Sequence, residues 1–558
     1  METVEFFVEG MTCDHCARSV EKTLRGLPGV VSAQVAYEAG AGEATVEPGT
    51  AFEVMQKAVR QAGYDLRAKG EPSLQGAQGG QKDPGSEGGG GSPRHLVIIG
   101  AGSGAVAAAL RATDLGAKVT LVERGTLGGT CVNVGCVPSK ILVRQGHQAH
   151  TVKHPPFSGI APHSPKIAPA LLADERSRRV LELREEKYSR ILRETPGVEL
   201  LTGEARLEGA RTVVVRESTG NERRLVADRI LIATGSSPHT PEIPGLAGTP
   251  FWTSTEALFA DAVPRHLIVF GGGFVALEIG QAWRRLGAEV TLVIRGARIL
   301  SKMEEDLGRD LGHSLEEEGV RIVSRATPSR VDHRDGIFSV TLSHGETLTG
   351  DALLVATGRH PNTRGLGLDR IGVKTNQSGE IVVDDRLETS VPGIFAAGDC
   401  TTLPKFVYVA AASGTRAATH MMGAGEDPLD LAVLPEVIFT DPQVARVGLT
   451  EDEAREKGFS PVVRTLPFDK VPRALVNFDP RGWIRMVADE KSGKLLGCTV
   501  LGPEGGEIVQ SAAMAMAAGL SVQEIGRMFF PYLTMVESLK LCAQSFSKDV
   551  GRLSCCAG

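Results

Sequence analysis

Residues 95–125, HLVIIGAGSGAVAAALRATDLGAKVTLVERG, and residues 266–296, HLIVFGGGFVALEIGQAWRRLGAEVTLVIRG, repeat one pattern about 170 residues apart. Each reads as an apolar strand, a glycine-rich turn, a helix and a second strand. That order is the βαβ unit that binds dinucleotides. In the first unit Gly100 permits the tight turn, and Gly102 lets backbone approach a pyrophosphate. Ala105 keeps helix and strand close, and Glu123 ends the second strand where it can reach ribose hydroxyls. The unpaired N–H groups of the helix N-terminus then face the phosphates. In the second unit Gly271, Gly273 and Ala276 take the same positions. Its second strand ends in Arg295, with Arg298 close behind, where an acid would select NADH. Cations there suit a 2′-phosphate, so the expected cosubstrate is NADPH.

A chain of 558 residues needs several cores. Residues 1–68 read as a βαββαβ unit of ferredoxin-like order. Residues 69–93, rich in Gly, read as a flexible linker reaching roughly 25–30 Å. The glycine turns then divide the rest into 94–250 (first dinucleotide domain), 251–365 (second), 366–430 (the first domain resumed) and 431–558 (an interface domain). The expected class is therefore α/β: two Rossmann-like dinucleotide-binding domains plus an α+β interface domain, preceded by the ferredoxin-like unit.

The net charge is −6, from 61 Lys and Arg against 67 Asp and Glu, and no basic run stands out. This argues against nucleic acid as a partner. The N-terminus reads as no signal peptide, and no apolar stretch is long enough to insert in a membrane, so a cytoplasmic protein is expected. Cytoplasmic thiols stay reduced, and paired cysteines there are more often catalytic or metal-binding than structural. Six of the nine cysteines come in pairs: Cys13 and Cys16, Cys131 and Cys136, Cys555 and Cys556. Cys131 and Cys136, in GGTCVNVGCVPSK, have the wrong spacing for a zinc half-site. They precede a helix whose N-terminus favours thiolate, so they can form a disulfide that opens and closes. Cys555 and Cys556 are adjacent, strain badly if bridged to each other, and make a ligand pair for a soft metal. Cys400, Cys498 and Cys542 read as buried small residues, and His147 and His150 as polar helix positions.

GGTCVNVGCVPSK, LIATGSSP, LLVATGRHPNT and GIFAAGDC resemble, in order, the signatures of the pyridine nucleotide–disulfide oxidoreductases. The resemblance runs from about Arg94 to the C-terminus. It implies FAD at the first site, with Gly125 and Thr130 lining it, Ala205 near the adenine, Asp399 at the ribityl chain and Val407 against the flavin. It also implies that Lys140 and Glu278 pair beside the flavin, that Cys136 faces the flavin and that Cys131 meets the substrate. The family's dimer implies active sites shared across a homodimer. GMTCDHC resembles heavy-metal-associated domains, in which Cys13 and Cys16 hold a two-coordinate ion such as Cu(I) or Hg(II).

The family's disulfide reductases carry a His, a Thr and a Glu in the stretch that here reads FFPYLTMVE. Phe530, Tyr532 and Met535 stand in their places. Without the His–Glu pair, proton delivery to a leaving thiol is missing. The chain therefore resembles the branch of the family that reduces mercuric ion. That implies Hg(II)–thiol complexes as substrate, a catalytic set of Cys131, Cys136, Lys140, Glu278 and Tyr532, and three metal stations at the three cysteine pairs. The alternatives are a reductase of low-molecular-weight disulfides and a metal-buffering chaperone.

Overall fold

The computed structural model describes residues 1–9, 14–36, 41–61, 65–68, 94–217, 219–425 and 427–548. Two compact units result, Met1–Gly91 and Ser92–Gly558.

The first unit has the expected element order: β1 (Glu2–Glu9), α1 (Asp14–Arg25), β2 (Val30–Ala36), β3 (Ala41–Val46), α2 (Phe52–Gln61) and β4 (Asp65–Ala68). The sheet order is β2-β3-β1-β4. Val20 and Leu24 of α1 and Met55 and Val59 of α2 meet Phe6, Val8 and Leu66 in one apolar core. The helical spacing of these residues is what turns both helices onto the same face of the sheet.

In the second unit, β5 (His95–Ile99), α3 (Ser103–Asp114) and β6 (Lys118–Glu123) form the first βαβ unit. The parallel sheet around it runs Ile394–Ala396, Arg229–Ile232, β5, β6, Val198–Thr202. Leu96 to Ile98 and Leu121 are fully buried, as a sheet covered on both faces requires. Beyond β6 come α4 (Gly129–Val134) and α5 (Cys136–Lys153). The second βαβ unit centres on strand His266–Phe270, helix Phe274–Leu286 and strand Glu289–Val293. The interface domain is a five-stranded antiparallel sheet of Glu436–Ile438, Gln443–Gly448, Leu495–Gly502, Trp483–Asp489 and Pro461–Pro467. Helices Gly505–Ala517, Val522–Arg527 and Glu537–Gln544 pack upon it.

Two helix crossings position the site, and both use glycine for close approach. A Cβ on Gly414 would lie 1.9 Å from the carbonyl oxygen of Gly104, so α3 and helix Val407–Met422 touch backbone to backbone. A Cβ on Gly146 would lie 2.9 Å from the carbonyl oxygen of Ala282, which sets α5 directly against helix Phe274–Leu286. Cys400, Cys498 and Cys542 are buried, as expected. His147 and His150 differ from expectation. His147 Nδ1 lies 3.2 Å from Asp441 Oδ2, inside an ionic cluster. His150 is driven down to about 4, first by burial and then by Arg285.

Candidate active site

Gly100 takes φ +106, and a Cβ there would lie 2.3 Å from the Ala233 carbonyl oxygen. Only glycine closes this turn. Gly102 caps α3, and Ala105 is fully buried behind it. Glu123 folds its carboxylate back over the turn, accepting from Ala101 N–H at 2.8 Å and Gly125 N–H at 2.6 Å. Ala205 is buried in an apolar cluster, so only its backbone could meet an adenine.

A cavity of about 1080 Å³, its open mouth included, extends from the α3 N-terminus. Gly102, Thr130, Cys131, Cys136, Lys140, Glu278, Asp399 and Val407, drawn from four separate stretches of sequence, all line it. Asp399 accepts from Ser236 Oγ at 2.9 Å, and Arg359 donates to the same hydroxyl at 2.8 Å. Val407 opens a 16-residue helix, whose positive end therefore faces the cavity. A glycine cradle at one end, a carboxylate midway and a helix N-terminus at the other fit an extended, anionic dinucleotide such as FAD.

Cys131 lies in α4 and Cys136 opens α5, both as half-buried thiols. The pair shares one proton unequally. The Cys131 thiol donates to Cys136, which pushes Cys131 up and brings Cys136 down to about 7 against the cost of burial, with help from the Lys140 charge. Cys136 is thus the more acidic of the two thiols. Lys140 Nζ lies 2.5 Å from Glu278 Oε2, and Glu278 is only 5% exposed. Lys140 is 36% exposed, so it is the Glu278 carboxylate that would be left buried without its partner if the pair were broken.

At the second turn Gly271 has φ +130, with a Cβ position 2.4 Å from the Ala356 carbonyl oxygen. Gly273 caps the helix and Ala276 is buried. Arg295 is exposed. Arg298 donates to the carbonyls of Leu300 and Met303, both at 2.9 Å. Tyr532 sits half-exposed on the interface-domain loop and does not line the cavity. Met535 is fully buried and Phe530 packs against the same apolar cluster. Cys13, Cys555 and Cys556 lie outside the described residues, as does the side chain of Cys16.

Tyr188 was not among the residues expected at the site. It lies in a π-helical turn, Glu185–Ser189, that interrupts a long helix. Its hydroxyl is 3.0 Å from Ser103 Oγ, and burial followed by the nearby sulfurs pushes its phenol up. Extra turns of this kind cluster at functional sites. The sequence reading missed it, because the turn is a single local change inside an otherwise continuous helical stretch.

Residues 94–414 match the pyridine nucleotide-disulphide oxidoreductase family, residues 434–543 its dimerisation domain, and residues 5–65 the heavy-metal-associated domain. Mercuric reductase from Acidithiobacillus ferrooxidans is 47% identical over 555 residues, 99% of each chain. The chain belongs to the mercuric reductase group of the pyridine nucleotide-disulphide oxidoreductases. Mercuric reductase from Streptomyces lividans is 43% identical over 83% of this chain and 98% of its own. Among solved structures, LpdA from Mycobacterium tuberculosis covers 82% of this chain with a TM-score of 0.75 at 27% identity, and 100% of its own chain. The Cu(II) complex of the flavoprotein disulfide reductase RclA from Escherichia coli has a TM-score of 0.74 at 29% identity, again over 82% of this chain and 100% of its own. Among the described residues no helix is long and apolar enough to cross a membrane, and no three His, Cys, Asp or Glu side chains converge as a metal site.

Proposed function

We propose that this chain is an FAD-containing, NADPH-dependent mercury(II) reductase that converts thiol-bound Hg(II) to volatile Hg(0). The observation that carries this reading is the loop at 530–535. Where a disulfide reductase needs an acid–base pair, Phe530 and Met535 turn into the interface-domain core. The neighbouring carboxyl of Glu537 is only 5% exposed, and burial raises it. Neither Phe530 nor Met535 thus supplies the acid–base pair that a leaving thiol needs and that a metal ion held by two thiolates does not.

FAD and NADPH, when bound, supply the two electrons. The chain's own residues capture and position the ion. Cys131 meets the ion and displaces one ligand thiolate, which leaves with the Cys131 proton; the Cys136 sulfur displaces the second, so that two Hg–S bonds form as two break. Cys131, and after it the Lys140 charge, lower the pKa of the Cys136 thiol, and α4 and α5 hold both sulfurs at the cavity wall. Arg295 selects the phosphate of NADPH. Tyr532, with Cys555 and Cys556 of the partner's tail, hands the ion to Cys131 and Cys136 of the other subunit, and Cys13 and Cys16 form an outer station. On this reading the domains run 1–68, 94–250, 251–365, 366–430 and 431–558, the dimer shares its active sites, and the enzyme works in the cytoplasm.

The test is NADPH oxidation with Hg(II) in excess thiol, beside parallel assays with glutathione disulfide and lipoamide. Turnover confined to Hg(II) is expected. Faster turnover of either disulfide would favour a thiol-disulfide reductase, and none with any substrate would favour a metal buffer.

A further inference from the structure

One short stretch of the interface domain, Phe439 to Asp441, grips the two helices that carry the Lys140–Glu278 pair. The Phe439 N–H donates to Glu278 Oε1 at 2.9 Å, while Lys140 holds the other oxygen of that carboxylate. The Phe439 ring lies under the same ammonium, with Nζ 4.5 Å from its centroid. Phe439 therefore touches both members, the anion by its backbone and the cation by its π face. One turn further along the helix, Gln281 clasps the backbone of Asp441, accepting from its N–H at 2.9 Å and donating to its carbonyl at 2.7 Å. A further turn on, Arg285 lies 3.0 Å from the Asp441 carboxylate. Glu278, Gln281 and Arg285 are spaced i, i+3, i+7, one face of a helix. On α5, Lys140 and His147 repeat the i, i+7 spacing and meet the same stretch.

The pinning is stronger than packing needs. Arg285 is only 4% exposed and is shared between Asp441 and Glu318, and Arg481 approaches Asp441 from the far side at 3.1 Å. Such a cluster fixes the Phe439 backbone, and the backbone fixes where the ring stands. An ammonium on an aromatic face gains electrostatic stabilisation. A second carboxylate there would instead neutralise it.

We propose that Phe439 is a positioning residue for the redox step, holding the Lys140 ammonium on its ring face and the Glu278 carboxylate on its N–H so that a localised positive charge borders the flavin end of the cavity. This rests on the reading of that cavity as the FAD site. A cation fixed there favours the electron-rich, reduced form of the bound group, and a cation free to swing into solvent favours it less. The interface domain thereby acts on the redox centre of its own chain, apart from any part it has in dimerisation.

The test replaces Phe439 with 4-fluoro-, 3,5-difluoro- and pentafluorophenylalanine in the FAD-loaded full chain. Shape is nearly preserved while the negative π face is progressively removed, so folding is not at issue. The flavin midpoint potential is measured by anaerobic dye-coupled titration. A graded fall in potential is expected, equivalent at the pentafluoro end to about a two- to fivefold rise in the oxidised-to-reduced ratio at fixed poise. Phe439→Tyr should stay at the wild-type value, and Lys140→Met should fall at least as far as the pentafluoro variant. A flat fluorination series with a shifted Lys140→Met would reduce Phe439 to packing and overturn the proposal. An unshifted Lys140→Met would overturn it too, because the ammonium would then not border the flavin. Hg(II)-dependent NADPH oxidation by the unsubstituted enzyme separates either failure from failure of the proposed function.

Discussion

Arg295 and Arg298 look equivalent in the sequence, two cations just past the strand end where a ribose would lie. Their surroundings separate them. Arg298 spends two N–H donors on the Leu300 and Met303 carbonyls, and Arg295 is exposed beside the second glycine turn. Arg295→Glu should therefore raise the KM for NADPH at least tenfold, because a phosphate then faces a like charge, and should flatten or reverse the preference over NADH. Arg298→Ala should mainly lower the melting temperature. Steady-state kinetics with both cosubstrates, beside a thermal melt, distinguish the two; a wild-type enzyme that uses NADH equally well would contradict the assignment. At this scale much of the site was legible. Glycines at 100, 102, 271 and 273 announce themselves because few other residues fit such turns, and the pairing of Lys140 with Glu278 follows from the family pattern. What local sequence could not reveal were contacts made by tertiary folding: Ser236 between Arg359 and Asp399, Tyr188 on Ser103, and His147 inside the Asp441 cluster.

Secondary structure was the most legible level, since the apolar periods of β5, α3 and β6 and of their repeat are strong and the glycine turns mark where one element stops. The crossings between elements were not, because nothing in a local pattern says which glycine will meet another helix. Gly414 is such a case. It reads as an ordinary helix glycine in AAASGTRAATH, yet its Cα faces the Gly104 backbone so closely that a methyl group has no room. Gly414→Ala gains helix propensity and still should destabilise, since the obstacle is a carbonyl oxygen at 1.9 Å rather than a side chain that can rotate. A loss of about 1–3 kcal/mol is expected. Displacing α3 also moves the N-terminus that would cradle the FAD phosphates, so the variant should shed FAD during gel filtration at concentrations where the parent retains it. A variant with unchanged melting temperature and full flavin content would show that the crossing tolerates more than its geometry implies.

At the scale of the whole molecule, one redox-active cysteine pair lines a cavity and two further pairs stand near the two ends of the sequence. Thiol-bound Hg(II) is too well chelated to wander, so an escort that exchanges thiolate for thiolate should matter most when competing thiols are abundant. Replacing Cys555 and Cys556 with Ala should lower turnover in excess thiol by orders of magnitude while FAD content and flavin reduction by NADPH stay intact. Mixed dimers of a Cys131→Ala subunit with a Cys555→Ala/Cys556→Ala subunit should regain one working site of two. If the mixture stays inactive although both subunits fold, pair and hold FAD, the tail serves its own subunit instead.

The most direct measurement of the central claim is mercury vapour released per NADPH consumed by the purified FAD-loaded enzyme, supplied with Hg(II) and excess thiol. Two electrons from one NADPH reduce one Hg(II), so the account predicts a ratio near one. Vapour should vanish in Cys131→Ala and in Cys136→Ala, with FAD still bound in both. NADPH consumed without mercury vapour, or vapour that persists when both cysteines are replaced, would contradict it.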